Sequence, residues 1–374
     1  MNDMILILNY SDEFAAEAAK RLRSEQVFSK IISGMTTAEQ IREIAPRGII
    51  LCGETQSAKG VLDAQILSLG IPVLALGHAA HMLIAAMGGA CAGTAISHRK
   101  ASVQYAECRL FSGVEAGERY IQEAMTLRLF ADVEGGERYL DETLMLMLPA
   151  DVQVTASAGG CTIAFEDDRR RLYGIQFELE RNDPDSSTIL KNFARDICGC
   201  SPWFTIDAAL AQARQKLSDA SIEGGYAVCG VSGGVDSTVA AVLAHQAFGE
   251  RMTAIYVETG LMREGESVCV QEMFESLGIP LKIVDHSQTI LAALKGKQAM
   301  REKHQVVFDC LHDEIIRQAK AMEGKKTLVM GTNYSDLLGG STDAAWRGCG
   351  MTVIEPLEFL FRKEVRSIAE TLGL

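Results

Sequence analysis

No run of about eighteen apolar residues occurs in this sequence, so no membrane-spanning helix is expected. The opening residues MNDMILILNY carry no basic segment ahead of a short apolar run, so no secretory leader is expected either. CxxC pairs are missing. The ten cysteines are scattered, and the one close pair, Cys198-Gly199-Cys200, has poor spacing for zinc. That usage fits reduced thiols in a cytoplasmic protein rather than a disulfide-built scaffold. Basic residues are outnumbered: 36 Lys and Arg against 49 Asp and Glu leave a net charge of −13. A broad nucleic-acid-binding face is therefore not expected.

What is present allows two domains of ordinary size, since 374 residues with a 48% hydrophobic share can fill more than one core. Uniformly apolar runs at Met4–Leu8, Gly48–Cys52 and Ile71–Leu76 read as buried strands. Helical patterns lie between and after them, at Glu13–Leu22, Thr37–Glu43 and His81–Met87. Strands of that kind alternating with helices predict a parallel sheet covered on both faces. A second set begins at Tyr226–Cys229 and continues at Met252–Val257, Pro280–Asp285 and Thr327–Met330.

The stretch with most chemistry in it is Tyr226–Ser237, YAVCGVSGGVDS. A strand, a glycine turn and a helix start follow one another there. Gly230, Ser232, Gly233, Gly234, Val235, Asp236 and Ser237 thus form a candidate phosphate cradle. Glycines let the main chain approach an anion, and the first free N–H groups of the helix point at it. Ser232 and Ser237 add hydroxyls, and Asp236 is a candidate Mg2+ ligand. No lysine follows the glycines, so this is not the Gly-Lys-Ser/Thr P-loop. A plain glycine-rich turn is the simpler alternative. The hexapeptide SGGVDS, however, matches the signature of the ATP pyrophosphatase enzymes.

The first half resembles a class I glutamine amidotransferase domain, on PRGIILCG, IPVLALG, MGGA, RLYGIQFE and LKNFARDICGC. The last of these is similar to the end of that domain in the GMP synthetase family, a resemblance that extends over nearly the whole chain. It implies two parallel-sheet, three-layer α/β domains. Residues 1–200 would be a flavodoxin-like amidotransferase domain. Residues 201–374 would be an adenine-nucleotide α-hydrolase-like ATP pyrophosphatase domain, reached through a linker at Cys200–Asp207.

The chemistry of the first domain is not carried over. Gly77 stands where the family has its cysteine nucleophile, and Glu178 stands where it has the histidine. Glu180 matches the orienting carboxylate. Gly53 is kept at the oxyanion turn, but Glu54 replaces a glycine there and would oppose a developing negative charge. Without a nucleophile and its base, thioester chemistry is not available. His78 and His81 flank the lost position. An internal duplication, Leu110–Tyr120 echoed at Leu129–Tyr139, falls where the family carries glutamine-site residues.

In the second half, Glu258-Thr259-Gly260-Leu261-Met262-Arg263 resembles the family's segment after its second strand. It places Val257 at an adenine edge and Arg263 toward an anionic substrate. Gly331-Thr332-Asn333-Tyr334-Ser335-Asp336 matches G-T-x-Y-x-D, with Gly331 and Thr332 near phosphate or ribose and Asp336 as a second Mg2+ ligand. Phe361-Arg362-Lys363-Glu364-Val365-Arg366 resembles F-K-D-E-V-R. Arg362, with Lys363 as a substitute, would then meet the leaving phosphates, at altered geometry since arginine replaces lysine. The run Glu302-Lys303-His304-Gln305 replaces a more basic one in the family and reads as a solvated helix face. The family continues into a dimerisation module that helps hold XMP, and this sequence stops before it, at Leu374, which weakens the expectation of XMP as the acceptor.

The resemblance therefore implies an ATP- and Mg2+-dependent ligase. It would adenylate a small oxo or carboxyl acceptor, XMP or a relative, and release pyrophosphate without hydrolysing glutamine. The expected partners are a second copy in a homo-oligomer or a separate nitrogen or sulfur donor protein. A sulfur transferase using Cys349 in Arg347-Gly348-Cys349-Gly350, and a non-catalytic nucleotide-binding regulator, are the competing expectations.

Overall fold

A computed structural model describes residues 3–10, 14–53, 62–92, 96–114, 117–124, 145–158, 161–176, 184–322, 324–338, 346 and 349–374. Glu54, Glu178, Glu180, Arg347, Gly348 and the second copy of the duplication lie outside them. The chain divides into two compact units, Met1–Phe204 and Thr205–Leu374. Among the described residues no helix is long and apolar enough to cross a membrane.

The first unit is built on β1 (Ile5–Asn9), α1 (Phe14–Ser24), β2 (Ser29–Ser33), α2 (Ala38–Ile44), β3 (Gly48–Gly53), β4 (Val73–Gly77) and α3 (His78–Ala86). Every residue of β3 and β4 is buried, as expected of strands covered on both faces. Helix α2 starts in a reciprocal cap, in which Thr37 accepts from the Gln40 N–H and the Gln40 side chain accepts from the Thr37 N–H. Leu6, Leu8, Ile49, Leu51, Val73 and Leu83 meet in one core cluster.

The unit continues with β5 (Ala90–Ala92), β6 (Ile96–Tyr105), β7 (Gly117–Ala124), β8 (Met145–Met147), β9 (Gln153–Ala158), β10 (Cys161–Asp167) and β11 (Leu172–Ile175). Among the described residues β5 and β8 form a separate two-stranded sheet. The main sheet runs β2-β1-β3-β4-β11-β10-β9-β6-β7. It is parallel as far as β11 and antiparallel beyond it. The purely parallel sheet expected from the strand–helix alternation thus describes one half of the layer. Strands β9, β10 and β11 lie close together in sequence, and paired neighbours that close can only be antiparallel. Helix α4 (Pro184–Lys191) and a π-turn at Asn192–Ile197 lead out of the sheet. Trp203 then donates from Nε1 to the Asp3 carbonyl, and the Phe204 N–H donates to the Gln26 carbonyl, at 3.0 and 2.8 Å.

The second unit contains α5 (Ile206–Ile222), β12 (Tyr226–Val231), α6 (Val235–Phe248), β13 (Met252–Glu258), α7 (Glu266–Ser276), β14 (Leu281–Asp285) and α8 (Ser287–Leu294). It ends with α9 (Met300–Ala321), β15 (Lys326–Val329), α10 (Tyr334–Leu338), β16 (Thr352–Ile354) and α11 (Arg362–Leu372). Its five strands are all parallel, in the order β14-β13-β12-β15-β16. The chain fills the sheet leftward from β12, then restarts on the other side of it with β15. The order therefore reverses between β12 and β15. Ligands of open parallel sheets bind outside the strand ends at such a reversal.

Candidate functional site

Both glycine-bearing motifs leave the sheet at that reversal: Ser232–Ser237 follows β12 and Gly331–Asp336 follows β15. The first is a tight turn closed by its own hydroxyls. Ser237 Oγ accepts from the Ser232 N–H at 3.1 Å and donates to the Gly234 carbonyl at 3.0 Å. Ser232 Oγ lies 3.2 Å from Ser237 Oγ and accepts from the Gly234 N–H at 3.4 Å. Thr238 Oγ1 donates to the Gly234 carbonyl at 3.0 Å. Gly233 has φ +79, a left-handed value that a side chain disfavours. Helix α6 then begins at Val235, with the N–H groups of its first turn lacking helical acceptors. They form the positive end of a 14-residue helix.

Gly331 shows how closely the two motifs approach. A Cβ there would sit 2.6 Å from Ser237 Cα and 2.8 Å from Ser237 N. Only glycine lets the chain after β15 lie against the first turn of α6. Gly234 differs, since a Cβ on it would meet only Ser232 Oγ, at 3.4 Å. The space above the turn that a side chain would fill is the cradle expected for a phosphate.

The carboxylates are linked through Asn333, whose side chain is fully buried. Its Nδ2 donates to Asp236 Oδ2 at 2.9 Å. Its Oδ1 accepts from the N–H groups of Ser335 and Asp336, at 2.8 and 3.2 Å. Its own N–H donates to Asp336 Oδ2 at 3.2 Å. From α11, Arg362 Nη2 donates to Asp336 Oδ1 at 2.9 Å. Burial lifts the Asp236 carboxyl above its ordinary range. The Asn333 donor pulls it down, Asp336 raises it, and the guanidinium groups of Arg362 and Arg366 lower it. Asp236 and Asp336 are therefore electrostatic neighbours.

Among the described residues no group of three or more His, Cys, Asp and Glu side chains could hold a metal ion. A Mg2+ ion does not need one, because it binds through one or two carboxylates plus phosphate oxygens and keeps several waters. The paired aspartates beside a phosphate cradle fit that mode.

The other predicted residues separate. Thr332 is half-buried on the turn after β15. Gly230 is a packing position, since a Cβ there would stand 2.9 Å from Ile315 Cδ1. The Val257 side chain lies in the core with Val228, Ile255, Ile315 and Leu328, so it can offer an adenine only its main chain. Arg263 is exposed on the turn before α7, where its N–H donates to Glu266 Oε2 at 3.0 Å. Lys363 is exposed and turned roughly 100° around α11 from Arg362. The residue that shares the Arg362 face is Arg366, one turn on. Cys349 is half-buried, its thiol 3.9 Å from the Met351 carbonyl oxygen.

Sequence reasoning missed Asn333 and Arg366 as site residues. Arg366 had a signal in its i, i+4 spacing from Arg362. Asn333 occupies the x of G-T-x-Y-x-D, and its partner is 97 residues away.

In the first unit, Gly77 caps α3 with φ 60 and ψ −129. A Cβ there would come 2.9 Å from the Gly53 carbonyl oxygen. His81 Nε2 lies 2.9 Å from Gln176 Oε1, and the Gln176 amide donates to the Thr162 carbonyl at 2.6 Å. The His78 and His81 rings meet edge-on at 5.2 Å. Burial lowers the affinity of both for protons, and in His81 the Gln176 contact partly opposes it.

Comparison with known proteins places the whole chain beside one group of enzymes. The chain is 32% identical to a GMP synthase (glutamine-hydrolyzing) of Rhodopseudomonas palustris, over 402 positions that span 100% of this chain and 71% of the relative. It is 29% identical to the enzyme of the same name from Enterococcus faecalis, spanning 100% of this chain and 73% of that one. The family model described as NAD synthase matches residues 206–374. An NH3-dependent NAD synthetase structure from Campylobacter jejuni is 17% identical, with a TM-score of 0.39, covering 46% of this chain and 74% of that one.

Proposed function

The chain belongs to the GMP synthase family, and we propose that it is an ATP-dependent ligase that does not hydrolyse glutamine itself. In this reading it adenylates a small oxo or carboxyl acceptor, XMP or a relative, and releases pyrophosphate. Ammonia, free or delivered by a donor protein, then displaces AMP. The observation that carries the reading is the convergence of Ser232–Ser237 and Gly331–Asp336 at the strand reversal.

The first-turn N–H groups of α6 and the Ser232 hydroxyl would bind phosphate oxygens, while Ser237 braces the turn through the Gly234 carbonyl. The carboxylates of Asp236 and Asp336 would hold Mg2+, which supplies charge neutralisation on the phosphates. Arg362 bears on the departing pyrophosphate, with Arg366 beside it. Arg263, on the turn after β13, faces an anionic acceptor. Catalysis of this kind is positioning and electrostatics rather than covalent chemistry by the protein. Gly77 offers no nucleophile, which supports a chain dependent on external ammonia.

The test is pyrophosphate release by the purified chain with Mg-ATP, ammonium or glutamine, and a panel of acceptors that includes XMP. Acceptor-dependent pyrophosphate with ammonium, and none with glutamine alone, is the expected result. Ammonia liberated from glutamine, or no Mg-dependent nucleotide binding at all, would overturn the reading.

A further inference from the structure

Three of the four carboxylate oxygens of Asp236 and Asp336 already have a protein donor: Asn333 Nδ2, the Asn333 N–H and Arg362 Nη2. The fully buried amide cannot flip without losing its bonds. Its Oδ1 is held by two backbone N–H groups, so its donor end is fixed on Asp236. On Asp336 the partner carries a full positive charge, which repels any cation sharing that carboxylate.

We propose that Asn333 and Arg362 withhold the two aspartates from a bare divalent cation, so that metal enters only in company with a triphosphate. The proposal rests on the nucleotide-binding reading above and adds a condition to it. Two carboxylates, each held by a donor, make a poor site for Mg2+ or Mn2+ alone. A triphosphate changes the balance in two ways. It supplies oxygen ligands and negative charge for the cation. It also offers the Arg362 guanidinium phosphate oxygens that match its fork better than a single carboxylate oxygen does. The exchange is cheap, because the Arg362 side chain is 65% exposed and an ion pair of that kind is weakly held. Asn333 stays in place, as a positioning residue that leaves Asp236 one unshared edge for the metal.

Electron paramagnetic titration of Mn2+ tests this on the full chain, with and without α,β-methylene-ATP. The wild-type chain should bind Mn2+ at least about tenfold more tightly with the analogue than without it. Arg362→Gln, at an exposed position, should tighten analogue-free Mn2+ binding by roughly a few-fold and weaken the analogue. Arg362→Lys, which keeps the charge and loses the fork, should restore the weak analogue-free binding and only part of the analogue affinity. Asn333→Asp, which sets a third carboxylate between the pair, should also create analogue-free binding, with thermal melting as the check on its fold. Opposite changes for metal and nucleotide are not produced by a merely structural arginine. Equal Mn2+ affinity with and without the analogue, or analogue-free binding unchanged in Arg362→Gln, overturns the inference and leaves the ligase reading standing. Failure of the wild-type chain to bind the analogue with Mn2+ overturns both.

Discussion

Each unit carries a strand-to-helix turn at the carboxyl end of a parallel strand, after β4 in one and after β12 in the other. The first keeps an unusual main chain at Gly77, φ 60 and ψ −129, and has no side chain to use. The second keeps both parts: left-handed Gly233, with Ser232 and Ser237 tied into one hydrogen-bonded loop around it, and Asp236 held by Asn333. The shape of such a turn is fixed by the strands and helix it joins and by the need for glycine. Its chemistry hangs on one or two side chains. A turn can therefore lose its reactivity and still be held in form by a core such as Leu6, Leu51, Val73 and Leu83.

The sharpest way to break this contrast is at Asp236. Asp236→Asn keeps the size of the side chain and removes its charge. Pyrophosphate release is expected to fall on the order of a hundredfold or more. Near-normal turnover in steady-state assays would mean that the second turn is as inert as the first.

Two alanine substitutions follow, with smaller and different effects. Gly331→Ala drives a Cβ to 2.6 Å from the Ser237 main chain, so the cradle itself must shift. Mg-nucleotide affinity should drop about tenfold, with about 1–3 kcal/mol lost from the second unit. Gly77→Ala meets both the positive φ and the Gly53 carbonyl oxygen at 2.9 Å. It should cost the first unit about 1–3 kcal/mol and leave pyrophosphate release unchanged. Calorimetry together with the release assay separates the two. An activity loss in Gly77→Ala matching that of Gly331→Ala would erase the distinction.

What could be read from the sequence follows the same division. Strands GIILCG and VLALG, and ILILN up to its last residue, are apolar, and burial on both faces leaves that mark. Strand β2, SKIIS, was not visible, because its polar ends break the pattern. The antiparallel half of the first sheet was not visible either, since strand order depends on contacts between distant segments. At the candidate site, Asp236, Asp336, Ser232 and Gly331 sit in motifs whose letters carry their own reason. Val257 and Gly230 lie in or beside those motifs too, but the fold turns Val257 into the core and fills the space over Gly230 with Ile315. Asn333 shows the reverse. An asparagine after a buried strand reads as a turn residue, and only the folded chain brings Asp236 within 2.9 Å of it.

The smallest expected effect concerns protons, and burial acts with opposite signs on two histidines of the first unit and on one aspartate of the second. Taking a group out of water disfavours its charged form, which lowers the pKa of His78 and His81 and raises that of Asp236. For the histidines the unfolded chain binds more protons below its ordinary value of 6.5. Their contribution to stability is therefore present above that value and lost as the pH falls toward the folded one. For Asp236 the folded chain binds more protons, so its contribution is present below 3.8 and lost as the pH rises through the raised value. Acidification from about pH 7 to 5 should thus weaken the first unit through these groups and spare the second. Hydrogen exchange, followed peptide by peptide, should show protection around α3 falling by roughly a factor of a few over that range. The fall should flatten when His78→Gln and His81→Gln are combined, while protection of β12 and α6 follows the same course in both proteins. An unchanged acid slope in the double variant would remove the histidines from the account. The difference between the units would then rest on Gly77 and Asp236 alone.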